Sequence, residues 1–424
     1  MRILLWHGYL LGGTGSNVYS RARAREWSLA GHDVTVVCQE RHPELYDLAG
    51  ARVVRPDVGP ILPVFVLDRY EGIEARRLHE LERTAVERFV AANVVALQEL
   101  LPADLVFVNH VLLGGPVGAA VAAATGTPFA VKAHGSELEY SMRGRPGLAA
   151  WGRESLRDAR AVFVGSAHIR EVLEDVCGPL ERPGIVHEVP PGVDVDEFRP
   201  EPRAAAFAGL VAEACRDAPN PGNADERLPD AGNAERLAAF LAGDRPTVLY
   251  FGKLIYNKGV HLLLEALRGL DARAVIVGFG DYRAELERQA LELGEDVLFT
   301  GPLEHRHLRH LVPLCDVSVV PSIFPEAFGM VAAEAAAGGA CPLVARHSGL
   351  AEVAAGVAAE YPPERRRLAS FTSGDAADLH AKLAELLALT PAERRELQDA
   401  ARRAVITRWS WAGIARRLLE LSAA

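Results

Sequence analysis

The sequence predicts an α/β protein with two domains, each built on a doubly wound parallel sheet. The chain has 424 residues, which is too long for one ordinary core and fits two domains of about 200 residues each. In both halves of the chain, short apolar runs alternate with segments of helical length. This alternation is typical of parallel sheets whose strands are joined by crossover helices.

The first half contains six apolar runs of strand length, separated by longer segments with a helical pattern. The predicted strands are Ile3–Trp6, Val34–Cys38, Leu105–Val108, Phe129–Lys132, Ala161–Val164 and Ile185–Val189. The predicted helices include Ser16–Ala30 and Ile73–Leu100. We therefore expect a Rossmann-like domain over residues 1–190.

The strand pattern stops at Pro190-Pro191-Gly192 and restarts later in the chain. The predicted strands of the second half are Thr247–Phe251, Ala274–Val277, Val297–Phe299, Val317–Val320 and Cys341–Ala345. They indicate a second Rossmann-like domain over residues 191–407, with a cleft between the two domains. An insertion at about 201–245 contains Asp217–Asn233, where Pro, Gly and Asn predict a surface loop. A lid or an oligomer contact is the alternative.

Composition places the chain among ordinary globular proteins and excludes several classes. Hydrophobic residues make up 49% and charged residues 24% of the chain. The formal charge of −10 argues against nucleic-acid binding, which needs basic residues to neutralise phosphates. No apolar run reaches the roughly 20 residues of a membrane span, and the first residues predict a strand rather than a signal peptide. Five scattered cysteines indicate neither disulfides nor a zinc site. We expect a cytoplasmic protein.

Two carboxylates, Glu326 and Glu334, flank the join between a glycine-containing loop and an alanine-rich helix. Eight residues is just over two helical turns, so both side chains are expected to face one pocket. The backbone amides of the segment between them lie at a predicted helix start, which favours an anion. Such a pair also occurs on solvated helix faces, but the alanines around Glu334 leave little polar surface for one. The pattern suits a sugar linked to a nucleotide.

Lys253 and Lys258 follow the predicted strand Thr247–Phe251. In α/β sheets, ligands bind at the carboxyl ends of strands, and two cations there could stabilise a departing nucleotide diphosphate. Most lysine pairs are only solvated surface, but the position directly after a buried strand favours function.

Further candidate groups follow strands of the first half. Gly12, Gly13 and Thr14 come after the first strand and just before a helix, where glycines let the backbone approach a phosphate or sugar. The loop lacks the complete Gly-x-Gly-x-x-Gly pattern, so alone it is a weak signal. His134 follows the strand Phe129–Lys132; a single histidine is more often structural, but this placement favours a role at the site.

Together these motifs resemble the retaining GT-B glycosyltransferases of glycosyltransferase family 4, whose signature is Glu, seven residues, Glu. The resemblance covers nearly the whole chain and implies that Lys258, Glu326 and His134 are catalytic. It implies donor contacts from Gly13, Lys253, Lys258, Leu303, Glu326, Phe328, Gly329, Met330, Val331 and Glu334. It implies acceptor contacts from Gly12, Thr14 and Arg153. The segment 408–424, which begins near Trp409-Ser410-Trp411, is expected to return to the first domain as a helix.

The function implied by this resemblance is transfer of a sugar from a nucleotide diphosphate sugar to an acceptor hydroxyl, with retention of anomeric configuration. Glu334 would hold the ribose hydroxyls and Glu326 those of the sugar. The donor phosphate would accept the acceptor proton. No metal and no cofactor are expected, and Asp194-Val195-Asp196 is interpreted as linker rather than a metal motif. Glu326 as a covalent nucleophile is the alternative that paired carboxylates suggest.

Other functions and partners stay open at this point. A nucleotide-sugar epimerase or a sugar phosphorylase could share the architecture, as could a non-catalytic binder of sugar nucleotides. The acceptor could be a small molecule, a glycan or a lipid. Four arginines could hold an anionic acceptor or contact an acidic membrane surface, although such charge runs are usually solvated. They are Arg143, Arg145, Arg153 and Arg157.

Overall fold

The structure is a computed structural model that describes residues 1–13, 15–66, 73–218 and 228–423. The chain divides into two compact units, Met1–Gly192 with Trp411–Ala424 and Val193–Ser410. Each unit contains one large parallel sheet with helices between its strands. The predicted fold class is confirmed.

The first unit is built on a seven-stranded parallel sheet. The described strands of this unit, seven in the large sheet and two in a separate pair, are β1 (Arg2–Trp6), β2 (Asp33–Val37), β3 (Arg52–Val54), β4 (Ile61–Val64), β5 (Glu74–Arg77), β6 (Leu105–Asn109), β7 (Phe129–Lys132), β8 (Ala161–Val164) and β9 (Val186–Glu188). Its first five helices are α1 (Gly15–Leu29), α2 (Arg83–Glu99), α3 (Gly114–Thr125), α4 (Pro146–Ser155) and α5 (Ala167–Cys177). The strand order is β3-β2-β1-β6-β7-β8-β9, while β4 and β5 pair separately.

The predicted helix Ile73–Leu100 is wrong in its first part. Glu74–Arg77 is the strand β5, paired in parallel with β4, and the helix α2 begins only at Arg83. Three of the four residues of β5 are exposed. A strand of exposed charged residues buries no apolar face, so it lacks the alternating pattern by which strands are found.

The second unit contains a six-stranded parallel sheet. Its strands are β10 (Thr247–Phe251), β11 (Arg273–Val277), β12 (Val297–Phe299), β13 (Val317–Val320), β14 (Cys341–Ala345) and β15 (Ser370–Phe371). Its helices are α6 (Arg203–Ala214), α7 (Asn233–Phe240), α8 (Val260–Ala266), α9 (Arg283–Ala290), α10 (His305–Leu311), α11 (Met330–Gly338), α12 (Ser348–Glu360), α13 (Ala376–Ala388) and α14 (Pro391–Trp409). The strand order is β12-β11-β10-β13-β14-β15.

The last helix, α15 (Trp411–Ala423), packs on the first unit. The ring of Trp411 meets Tyr19 of α1 edge to face, with ring centroids 5.2 Å apart. Trp27 donates its indole N–H to the carbonyl of Ala415 at 2.9 Å. No described helix combines the length and apolar composition that crossing a membrane requires.

In each large sheet, successive strands are added first on one side of a central strand and then on its other side. This switch point determines where the candidate site lies. In the first sheet β1 lies between β2 and β6, and in the second β10 lies between β11 and β13. Ligands of open α/β sheets bind at the carboxyl ends of strands next to such a switch point. Functional groups are therefore expected among the residues that follow β1, β6, β10 and β13.

Candidate functional site

In the second unit, Lys258 and Glu326 lie on the loops that follow β10 and β13, and their side chains form an ion pair. The side chains are 31% and 23% exposed, so the pair is half-buried and open to solvent on one side. Gly259 adopts a left-handed conformation, with φ of 69°, directly after Lys258. A Cβ atom there would lie 1.9 Å from the carbonyl oxygen of Pro321. The close approach of the two loops, which brings the pair together, thus requires a glycine.

The backbone of Glu326 is fixed by the start of α12. Its amide donates to the hydroxyl of Ser348 at 2.8 Å, and its carbonyl accepts from the amide of Gly349 at 3.0 Å. Next to Ser348, His347 hydrogen-bonds through its ring to the carbonyl of Ser322 at 2.7 Å. The carboxylate of Glu326 is therefore held on a braced loop.

Helix α11 starts without a side-chain cap, as the anion-site prediction requires. Its N-cap is Gly329, with φ of 122° and no capping side chain. Phe328 is buried against the core, which orients the loop, while Met330 and Val331 form the first turn and are partly buried. The first amides of an α-helix have no partner within the helix and lie at the positive end of its dipole.

Glu334 lies in the middle of α11 and is buried, with 7% of its surface exposed. Its carboxylate is 3.7 Å from Nε2 of His305, which opens α10. Burial raises the pKa of Glu334, a nearby His305 lowers it, and Glu197 raises it. The two carboxylates thus have different partners in the structure. Glu326 contacts Lys258, and Glu334 faces His305. The structure does not place both on one helix face, because α11 begins after Glu326.

Lys253 is exposed, and its carbonyl accepts a hydrogen bond from the hydroxyl of Tyr250 at 2.8 Å. Leu303 is buried at 9% exposure in the turn that follows β12. In the predicted linker motif, one oxygen of Asp194 accepts from the amides of Asp196 and Glu197, which is the geometry of a local turn. Among the described residues, no group of three or more His, Cys, Asp and Glu side chains is arranged to hold a metal.

The prediction that Asp217–Asn233 is a surface loop is wrong at its C-terminal end. The amide of Asp230 and the side chain of Asn233 both donate to the carbonyl of Thr300, at 2.9 and 2.8 Å. The Asp230 carboxylate also accepts two hydrogen bonds from Arg283, at 2.9 and 2.6 Å. These contacts hold the turn Thr300–Leu303 in place.

The N-terminal end of the same segment is also packed rather than exposed. The Asp217 side chain is 7% exposed and pairs with Arg306 at 2.6 Å and His307 at 2.9 Å. Composition could not predict these pairs because the partners lie far along the chain. Residues 219–227 of the predicted loop lie outside the described residues.

In the first unit, His134 belongs to a network of buried polar side chains. Its Nε2 donates to Asn109 at 3.2 Å, and Asn109 donates in turn to His7 at 3.2 Å. The amide of His134 donates to Glu137 at 2.7 Å, and Glu137 also accepts from the ring of His110 at 3.1 Å. These groups lie at or beyond the carboxyl ends of β1, β6 and β7, so they meet at one edge of the sheet.

Burial and like charges favour the neutral forms of His7 and His134 in this network. Burial, helped by His110, lowers the pKa of His7 to about 3. Burial and the neighbouring cations lower the pKa of His134 well below its ordinary value. Lys132, buried beside them, has its pKa lowered to about 7 by burial and by Arg23. A neutral imidazole can both donate and accept hydrogen bonds, which suits recognition of hydroxyl groups.

The glycine loop after β1 is held by two side chains. Glu40 accepts from the amide of Leu11 at 3.0 Å, and Asn17 donates to the carbonyl of Gly12. Gly13 is exposed and has a positive φ of 91°. The predicted acceptor residue Thr14 lies outside the described residues.

The predicted acceptor residue Arg153 lies in α4, where it donates to the carbonyl of Cys177 at 3.4 Å. Its neighbours in the predicted basic patch are paired as well. Arg143 contacts Glu139 and Asp175, and Arg157 contacts Glu181. The structure does not connect Arg153 to the network around His134 through any hydrogen bond or ion pair among the described residues.

Sequence reasoning missed most of the first-unit network. The members without a prediction are His7, Asn109, His110 and Glu137, all 1% exposed or less. A signal was present: His7 and His110 lie just beyond strands and Asn109 ends one, and polar residues at the ends of fully buried strands need hydrogen-bond partners. His110 also has a positive φ of 67°, which is uncommon for a residue with a side chain and clusters at functional sites.

Two family models match the chain along most of its length. The model described as Glycosyltransferase Family 4 matches residues 13–197, and the one described as Glycosyl transferases group 1 matches residues 234–404. The chain belongs to the GT-B glycosyltransferases. The first match covers mainly the first unit and the second match lies within the second unit, so both units of this GT-B glycosyltransferase carry family features.

Curated relatives match parts of this GT-B glycosyltransferase. A GDP-mannose-dependent α-(1-6)-phosphatidylinositol monomannoside mannosyltransferase of Mycolicibacterium smegmatis is 30% identical over 51% of this chain and 51% of its own length. A D-inositol 3-phosphate glycosyltransferase of Xylanimonas cellulosilytica is 34% identical over 48% of this chain and 44% of its own length. The chain thus spans about half the length of these relatives.

Solved structures agree on the fold over the full chain. Sucrose-phosphate synthase from Thermosynechococcus elongatus has a TM-score of 0.69 at 23% identity, covering 99% of this chain and 98% of that one. Anabaena HepE, solved in complex with UDP and glucose, has a TM-score of 0.70 at 17% identity and covers 100% of both chains. At these identities the likeness shows the fold alone.

Proposed function

We propose that this protein is a retaining glycosyltransferase that moves a sugar from a nucleotide diphosphate sugar to an acceptor hydroxyl, without a metal ion. The observation that carries the proposal is the ion pair of Lys258 and Glu326, placed at the switch point of the second sheet just ahead of the uncapped start of α11. A cation and free helix amides suit a diphosphate leaving group. The name of the GDP-mannose-dependent relative supports a sugar nucleotide as donor.

Lys258 and the first amides of α11 would stabilise the negative charge that develops on the departing diphosphate. A bound diphosphate would compete with Glu326 for Lys258, since it carries more charge than one carboxylate. Glu326 would then be released to accept hydrogen bonds from the sugar hydroxyls. The ion pair thus holds both groups close to where the reaction needs them.

Glu334 and the turn at Leu303 would bind the nucleoside. Glu334 would accept hydrogen bonds from the ribose hydroxyls, and His305, 3.7 Å away, supports its charged form. Backbone groups of the braced turn Thr300–Leu303 would contact the base, while Lys253 would add positive charge for the diphosphate.

The first unit would serve the sugar and the acceptor. His134 is held by Asn109 and Glu137 and would contact the transferred sugar. Gly12 and Gly13 offer backbone groups, and Arg153 is a candidate for the acceptor. A phosphate oxygen of the donor would take the acceptor proton as attack occurs on the same face, so no protein nucleophile takes part.

A donor screen followed by product analysis tests the proposal. Thermal shifts with UDP, GDP and ADP sugars select the donor, and mass spectrometry of products from a metabolite extract identifies the acceptor. Proton NMR of the early product should show the anomeric configuration of the donor. Inverted product would contradict the retaining mechanism, and a rate loss above about tenfold in EDTA that Mg²⁺ restores would contradict metal independence.

The division of roles between the two carboxylates has its own test. Glu334→Gln should weaken binding of the free nucleotide diphosphate by about tenfold, because it loses a charged acceptor. Glu326→Gln should leave this affinity nearly unchanged and lower the turnover of the sugar donor. Calorimetry on both variants decides. Equal loss of diphosphate affinity in the two would show that the roles are assigned wrongly.

A further inference from the structure

Beside the loop of Lys258, the second unit carries an open cavity with two aromatic walls. The cavity has a volume of about 310 Å³ and is lined by Ile255, Tyr256, Asn257, Asp281 and Tyr282. It lies where the segments after β10 and β11 meet. Tyr256 belongs to the same short 3-10 turn as Lys258. Such a turn has three residues per revolution, so these two side chains leave it in different directions.

The ring of Tyr256 is held in place, although it is 55% exposed. The ring of His261 stacks on it with centroids 4.8 Å apart and an interplanar angle of 7°. Tyr282 stands perpendicular to both rings, 5.5 Å from Tyr256 and 6.0 Å from His261. Since His261 covers one face of Tyr256, the exposed surface of the ring lies on its edge and its other face. The rings of Tyr256 and Tyr282 thus form a rigid corner, because they stand nearly at right angles to each other.

Polar groups stand next to this corner. Asp281 is exposed, and its carboxylate is available because it forms no ion pair with the described residues. Asn257 is exposed and its backbone is anchored, since its carbonyl accepts from the amide of Ile323 at 3.0 Å and the hydroxyl of Ser322 at 3.2 Å. A flat aromatic face, a carboxylate and an amide are therefore presented together on fixed backbone.

We propose that this cavity is a binding site for a neutral sugar ring. The electronegative face of an aromatic ring attracts C–H groups that carry partial positive charge, and one face of a pyranose presents such groups. The hydroxyls at the edge of the sugar can donate to Asp281 and exchange hydrogen bonds with the Asn257 amide. The volume is at the lower end of the range for ligand sites, which fits one ring rather than a large ligand.

Charge argues for a neutral sugar over a nucleotide. A nucleoside phosphate could stack its base on Tyr256, but the Asp281 carboxylate would repel its phosphates. If the proposed function holds, the site would bind a sugar ring of a glycan substrate, separately from the donor diphosphate at Lys258. That role rests on the proposed function, whereas sugar binding itself does not.

Saturation-transfer NMR tests sugar binding without any need for turnover. The probes are methyl α-D-glucopyranoside and methyl α-D-mannopyranoside, with uridine as a nucleoside probe. Wild-type protein should transfer saturation to the ring protons of at least one glycoside. Tyr256→Ala should weaken binding by about tenfold, Tyr256→Phe should retain it, and Asp281→Asn should weaken it less than Tyr256→Ala.

Tyr140→Ala is the matched control, because Tyr140 is similarly exposed, at 50%, and lies in the first unit. It should leave the glycoside signal unchanged. The melting temperature and UDP affinity of Tyr256→Ala should match wild type, which separates this site from the donor site. A glycoside affinity that is unchanged in Tyr256→Ala, no glycoside signal from the wild type, or displacement of the glycoside by uridine would each overturn the proposal.

Discussion

The two units place polar groups at the same topological position, yet they do so in opposite physical ways. In the second unit the key pair is charged and half-buried, with Lys258 and Glu326 exposed by 31% and 23%. In the first unit the network around His134 is buried, and its members His110 and Glu137 are 1% and 0% exposed. One unit thus offers charge that solvent and ligand can reach, and the other offers buried groups whose orientation is fixed by hydrogen bonds.

This difference matches the two chemical tasks that we propose. A departing diphosphate gains negative charge, which is best stabilised by a preorganised cation and helix amides. Sugar hydroxyls are neutral and directional, so they are best recognised by groups whose orientation is fixed by other hydrogen bonds. Mutations in the second unit should therefore act mainly through charge, and mutations in the first mainly through geometry.

The largest expected effect is on the charged side. Lys258→Ala should lower turnover by about a hundredfold or more, the scale seen when one preorganised partner of a developing anion is removed. Steady-state kinetics with the donor found by the screen measures it. Lys382→Ala is the control, since Lys382 also pairs with a carboxylate, Asp378 at 3.2 Å, in the same unit. Equal turnover of the two variants would remove Lys258 from the mechanism.

The next effect concerns the contacts that hold the turn Thr300–Leu303 of the second unit in place, rather than the charge of the site. Asp230→Ala should cost about 2 kcal/mol of stability, because Arg283 loses two hydrogen bonds in a site where the Asp230 side chain is only 16% exposed. Scanning calorimetry should show a melting temperature lower by about 4–8 °C. Asp244→Ala is the matched control: this aspartate is 96% exposed, 3.4 Å from Arg203, and should change stability by less than about 0.5 kcal/mol. Similar shifts in both would mean that the segment does not brace the turn.

On the neutral side we expect a smaller and more selective effect. His134→Ala should lower turnover by about tenfold through the loss of one positioned hydrogen-bonding group. Binding of the free diphosphate, measured by calorimetry, should stay unchanged, because His134 is assigned to the sugar. His42→Ala, at an exposed histidine of the same unit, controls for general effects. Weaker diphosphate binding in His134→Ala would contradict the contrast between the units.

The sequence allowed the charged side to be predicted far better than the neutral side. Lys258 and Glu326 lie on loops that follow strands with apolar runs, and Glu334 lies in the helix after the second loop. Four predicted strands of the second unit have the observed bounds. They are Thr247–Phe251, Val297–Phe299, Val317–Val320 and Cys341–Ala345. Buried strands in a parallel sheet are apolar on both faces, so they stand out in the sequence.

The parts that were missed depend on partners far apart in the chain. His7 and Asn109 are 102 positions apart and hydrogen-bonded, and Asp230 meets Arg283 across 53 positions. Neither pair has a local pattern. The strand β5 was missed for a different reason, since it is exposed and charged. The periodicity of apolar residues indicates which faces of helices and strands are buried. It gives no information about polar pairs or exposed strands.

The smallest expected effect tests whether the charge of the Glu334 carboxylate is penalised by its burial. Because its pKa is raised above the ordinary value of 4.5, the folded protein holds this proton at a higher pH than the unfolded chain does. The resulting stability is complete below pH 4.5 and is lost as the pH rises through the raised pKa. It amounts to about 1.4 kcal/mol for each pH unit by which the pKa of the folded state exceeds that of the unfolded chain. The melting temperature of wild type should therefore rise relative to that of Glu334→Gln as the pH falls from neutral towards 4.5.

The groups that act on the Glu334 carboxylate, His305 and Glu197, are present in both proteins, so the difference between the two melting curves isolates Glu334. Asp296→Asn provides the contrast. Hydrogen bonds from Arg245 hold the pKa of Asp296 below its ordinary value, so wild type should gain nothing on this variant as the pH falls from neutral towards 4.5. A constant difference between wild type and Glu334→Gln across the pH range would mean that burial does not penalise the charge. In that case His305 would already pair with Glu334, and the candidate site of the second unit would contain two paired carboxylates instead of one paired and one available for a ribose.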